Sequence, residues 1–132
     1  MAKRPRIFAT EDAVQLAKRR LPRMIFDFIE GSAGREAGAK RNEIRFDDIM
    51  LQPRVLSNVG TRSLTTRFLG REYGLPFGIA PMGMCNLACP DADAHIARIA
   101  KGRQMPVCLS SAGSSSLRDM NSWSGGMAWF QL

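Results

Sequence analysis

An α/β fold is predicted for this 132-residue chain, with helices and a small hairpin leading into a parallel sheet. Three apolar runs, at residues 75–80, 105–109 and 127–132, read as buried strands. Helix-type segments separate them, which is the alternation expected of βαβ units. Before residue 50 the apolar spacing is helical, so the two kinds of signal occupy different parts of the chain.

The elements follow in order. Thr10 is the expected N-cap of a first helix, with Glu11 and Asp12 in its first turn and Lys18, Arg19 and Arg20 at its end, charges that complement the helix dipole. Pro22 suits the first turn of a second helix. There Ile25, Phe28 and Ile29 fall at i, i+3 and i+4 on one face, and Gly31 stops it. A third helical stretch covers residues 35–46. Beyond Met50 the helical period is lost, and Asn58-Val59-Gly60 reads as a turn. Residues 65–69, Gly70 and residues 71–73 resemble a hairpin, because glycine adopts turn conformations that other residues resist.

Pro81 closes the first apolar run, and a loop covers residues 82–89. Pro90 and Asp91 start a helix with Ala94, Ile96, Ala97, Ile99 and Ala100 on its apolar face. The second run leads into a Ser-rich loop at 110–116. A short helical piece at 117–120 and a Gly125-Gly126 turn precede the third run. A chain that ends in or just after a strand leaves an apolar edge with unpaired backbone, so a truncated product or one part of a longer protein is expected.

Composition narrows the function classes. The 45% hydrophobic content is globular, and 19 basic against 12 acidic residues give a net charge of +7. The basic residues of the first third are interleaved with acids and helical apolar positions, without an aromatic ladder. A solvated helical surface is expected, with no nucleic-acid partner. No run of about 18 apolar residues occurs, so no transmembrane segment is expected. The segment 7–9 is too short for a signal peptide, which points to a cytoplasmic protein with reduced thiols at Cys85, Cys89 and Cys108. Cys85 and Cys89 lack further ligands at metal-binding spacing, so no metal site is expected. A phosphate-binding G-x-G-x-x-G or P-loop motif is absent.

Several stretches carry a family resemblance: residues 18–31, Arg41-Asn42, 52–56, Leu64-Thr65-Thr66, Leu69-Gly70, 76–81, Leu109-Ser110-Ser111 and 129–132. In this order and spacing they resemble the N-terminal part of the FMN-dependent α-hydroxy-acid dehydrogenase and oxidase family. The resemblance runs from about Thr10 to Leu132 and implies a partial TIM (β/α)8 barrel. Residues 1–74 would form the N-terminal helices and hairpin, and residues 75–132 the first three β/α units. A complete barrel of about 250 residues does not fit this length.

By the same resemblance Pro81, Met82, Gly83, Ser110 and Gln131, at the C-terminal ends of the three strands, are expected to contact FMN. From the residues alone, Ser110 reads equally as a loop or capping residue and Pro81 as a strand terminator. Gln131 is less ordinary, since a buried amide must find partners. Phe28 stands at a substrate-binding position where the family usually has tyrosine. Loss of that hydroxyl removes one hydrogen bond to a substrate carboxylate, about 1.5–3 kcal/mol. Gln104 and Ala92 replace common glycines. The family's catalytic histidine, carboxylate-binding arginines and flavin-proximal lysine have no counterpart, and His95, the only histidine, is expected to be a surface or packing residue.

The intact family member would oxidise an L-2-hydroxy acid, lactate-like, to the 2-keto acid through FMN, as a homotetramer. This chain alone is expected to be neither active nor well folded. The alternatives are a non-enzymatic basic binding module or a gene remnant.

Overall fold

A computed structural model describes residues 6–132; Lys3 and Arg4, which contribute to the basic N-terminus, lie outside the described residues. The element order is α1 (Thr10–Arg20), α2 (Arg23–Glu30), α3 (Ala37–Asp47), β1 (Thr66–Phe68), β2 (Arg71–Tyr73), a 3₁₀ turn (Cys85–Leu87), α4 (Ala92–Arg103), β3 (Val107–Leu109), α5 (Leu117–Trp123) and β4 (Ala128–Phe130). Two compact units result, Met1–Ser57 and Asn58–Leu132.

In the first unit, local backbone chemistry sets the helix ends. Ala9, not Thr10, is the N-cap of α1, and the Asp12 carboxylate accepts the Phe8 and Ala9 N–H groups at 2.9 and 3.2 Å. A side chain three residues into the helix thus satisfies donors that the helix itself cannot. Pro22 is likewise the cap of α2 rather than part of its first turn, and its carbonyl accepts from Ile25 and Phe26. The expected Ile25/Phe28/Ile29 face is not what packs. Ile25 and Phe26 are half-buried, whereas Phe28 and Ile29 are 57% and 55% exposed. Gly31 is the C-cap of α2 with its N–H on the Asp27 carbonyl at 3.0 Å, and a Cβ there would stand 2.7 Å from that oxygen.

The second unit holds a core of Ala97, Ala100, Met105, Val107, Leu109 and Met120. Here β3 and β4 pair in parallel, Val107 with Ala128 and Leu109 with Phe130, across the helix α5. The hairpin β1–β2 is antiparallel, and Leu69 and Gly70 at its tip both have positive φ, 48° and 77°. That geometry matches strand twist and favours glycine. Gly126, φ 81°, ends the turn before β4.

The first apolar run departs from its expected strand. It joins the sheet through one parallel bridge, Ile79 to Val107, and Phe77 is 61% exposed. Pro76 and Pro81 lack N–H donors for a ladder. Gly78 passes so near Pro106 that a Cβ would lie 2.5 Å from its carbonyl oxygen. On α4 the alanines are buried as expected, but Ile99 is 57% exposed.

Candidate functional site

The parallel register builds a common edge. With Ile79 beside Val107 and Val107 beside Ala128, Pro81 falls at the level of Leu109, which pairs with Phe130. The next residue of each segment, Met82, Ser110 and Gln131, therefore emerges at the same C-terminal edge. Gln131 is tied there by its N–H to the Leu109 carbonyl at 2.9 Å. In α/β folds this edge is where helices and loops leave room for ligands.

Loop 81–84 runs against loop 110–113. The Met84 N–H donates to the Ala112 carbonyl at 2.9 Å, and a Cβ on Gly83 would be 3.2 Å from the Ala112 Cβ and 3.9 Å from Ser110 Oγ. Ser110 is buried, and its Oγ accepts the Ala112 N–H at 3.2 Å, which leaves the hydroxyl proton to donate. Met82 is 46% exposed, and Gly83 and Gln131 are exposed. The structure thus brings Pro81, Met82, Gly83, Ser110 and Gln131 together at one edge. Phe28 lies on α2 in the first unit.

Two residues that the sequence did not single out organise this edge. Asp93, in the first turn of α4, is 3% exposed and accepts the Ser114 N–H on Oδ2 at 2.9 Å. Asn86 accepts the Ala92 N–H at 3.0 Å, and its own N–H donates to Ser114 Oγ at 3.4 Å. The only available signal was Asp93 at a helix start, where it reads as a dipole partner. Cys85 lies beside this group. Burial first, then the Asp93 charge, push its thiol pKa above the ordinary value.

His95 is exposed on α4, and its Nδ1 lies 2.8 Å from the Asp91 carbonyl oxygen. It is occupied locally rather than presented to the edge. Among the described residues no group of three His, Cys, Asp or Glu side chains converges as a metal site. An apolar cleft of about 480 Å³ reaches this edge at Pro81 and is lined by Phe68, Tyr73, Phe77, Ile79 and Trp129, among others. It has no charged lining residue.

Comparison with known proteins places these features in context. A family model described as FMN-dependent dehydrogenase matches residues 17–132. An L-lactate dehydrogenase of Pseudomonas syringae pv. syringae (strain B728a) is 36% identical over 126 residues, 96% of this chain and 33% of that relative. An (S)-mandelate dehydrogenase of Pseudomonas putida is 36% identical over the same length, 96% of this chain and 32% of its own. The solved structure of a soluble mutant of the membrane-associated (S)-mandelate dehydrogenase from Pseudomonas putida has a TM-score of 0.86 at 36% identity, over 96% of this chain and 36% of that one. The chain spans about a third of the length of the curated relatives it matches.

Proposed function

The chain belongs to the FMN-dependent dehydrogenase family, and from that membership we propose that it supplies part of a flavin-ring site for oxidation of an L-2-hydroxy acid to the 2-keto acid. The observation that carries this reading is the emergence of Met82, Ser110 and Gln131 at one C-terminal sheet edge. When bound, FMN supplies the acceptor for the two electrons removed from the hydroxy-acid carbon.

The residues at the edge fit the rim of a flavin, which presents N–H and C=O groups around an apolar plane. Ser110 offers a hydroxyl proton, already oriented by the N–H of Ala112. Gln131 offers both an amide donor and an amide acceptor. Gly83 lets exposed backbone lie flat where a side chain would stand, and Pro81 turns the chain out of the sheet. By the family resemblance alone Phe28 stands at a substrate-binding position, and its ring has no donor for a carboxylate. Pro81, Met82, Gly83, Ser110 and Gln131 themselves include no cation for the cofactor phosphate and no base for the substrate hydroxyl proton, a role that needs a group within hydrogen-bond reach.

In this reading residues 1–74 are the helical and hairpin lead-in, and residues 75–132 are the first three units of a TIM (β/α)8 barrel. The remaining units supply the base and carboxylate-binding groups, so the chain alone does not turn over hydroxy acid. We further propose that the whole enzyme is a cytoplasmic homotetramer. Among the described residues no helix is long and apolar enough to cross a membrane.

The test is a chimera in which residues 17–132 replace the matching third of the Pseudomonas putida mandelate dehydrogenase. It is expected to purify with visible flavin, and Ser110→Ala or Gln131→Ala to weaken FMN retention by about tenfold, one hydrogen bond each. Folded variants that retain FMN unchanged would remove these two residues from the site.

A further inference from the structure

We infer that Asp93 is a positioning residue for the strand-end edge: its buried carboxylate fixes the Ser-rich loop that presents Ser110. The flavin consequence of this inference rests on the functional reading above; the ordering of the loop does not.

A carboxylate that is 3% exposed is costly to bury, and neither ion pair found among the described residues includes Asp93. What stabilises the charge is local. Asp93 sits in the first turn of α4, where helix N–H groups carry partial positive charge, and it accepts the Ser114 N–H at 2.9 Å. The bond spans 21 residues and links α4 to the loop that follows β3. It is the one charged anchor in an otherwise neutral set. Asn86 holds Ser114 Oγ at 3.4 Å, Met84 holds the Ala112 carbonyl at 2.9 Å, and within the loop Gly113 donates to the Ser110 carbonyl at 2.9 Å. Ser110 lies four residues before Ser114, and its hydroxyl is oriented by Ala112 between them. Release of the Ser114 N–H therefore leaves the loop on its neutral bonds alone and loosens the segment that sets the Ser110 hydroxyl, while α4 keeps its alanine packing against the core.

The experiment is hydrogen exchange on the folded chimera that carries residues 17–132, read at residues 110–116 and at 97–100, for wild type, Asp93→Asn and Asp93→Leu. Asp93→Leu is expected to lower loop protection by about 10- to 100-fold, the loss of one hydrogen bond to a charged group, with protection at 97–100 retained. Asp93→Asn, whose amide oxygen still accepts the Ser114 N–H, is expected to recover most of the protection. A wild-type loop that exchanges as freely as residues 58–65 would overturn the inference. So would unchanged loop protection in Asp93→Leu, or equal loss at the loop and at 97–100, which marks a general packing role. FMN titration of the chimera carrying the same substitutions separates the two readings. Weakened FMN binding in Asp93→Leu with recovery in Asp93→Asn supports both. Flavin binding unchanged by a disordered loop would overturn the positioning role, whereas a folded wild-type chimera without flavin would overturn only the functional reading.

Discussion

Gln104 closes α4 in the left-handed conformation, φ 51° and ψ 45°, with its N–H on the Lys101 carbonyl. A side chain there brings Cβ against the following carbonyl, a cost of about 1–2 kcal/mol that glycine avoids. Part of that gain is lost to the greater freedom of glycine in the unfolded chain. Gln104→Gly is therefore expected to stabilise the folded chimera by about 0.5–1 kcal/mol in chemical denaturation. Cys85 offers a second test at this scale. Burial and the Asp93 charge hold its thiol protonated above the usual pH. In the unfolded chain the thiolate forms first, so this contribution to stability is present at neutral pH and falls as pH rises through the thiol range. Iodoacetamide is expected to modify exposed Cys89 well before Cys85, and Asp93→Asn to narrow the gap, as read by peptide mass.

Among the elements, the hairpin depends on its packing partners as well as its turn. Phe68 of β1 stacks on Trp129 of β4 with centroids 5.5 Å apart, and Trp129 Nε1–H donates to the Tyr73 hydroxyl at 3.3 Å. Arg71 lies over the Tyr73 ring and donates to the Gly126 carbonyl. Tyr73→Phe keeps the ring and removes the acceptor, so a loss of about 1 kcal/mol is expected by denaturation. The hairpin was legible because Gly70 marks a positive-φ turn between two β-type runs. The first strand was not, because an apolar run does not report how many ladder bonds its prolines and glycine leave. Periodicity also misplaced Ile99, since α4 packs through small alanines and leaves the larger side chain exposed. On α2 the residues Ile25, Phe28 and Ile29 share the expected face, but Phe28 and Ile29 are exposed, because spacing gives a stripe and not its partner.

At the scale of the whole molecule, the candidate edge was legible because parallel strands bring their C-terminal ends together whatever their length. Ser110, Gln131 and the 81–83 backbone followed from that rule and from the family resemblance. Asp93 did not, because an acid at a helix start looks the same whether solvated or buried. The division of labour proposed here places one flavin edge in this chain and the proton-transfer groups elsewhere in the barrel. The most direct measurement is anaerobic flavin reduction, with an L-2-hydroxy acid added to FMN and either the 132-residue chain or the chimera. The account predicts bleaching of the flavin absorbance by the chimera and none by the chain alone. Bleaching by the chain alone, or a folded, flavin-free chimera, would contradict it.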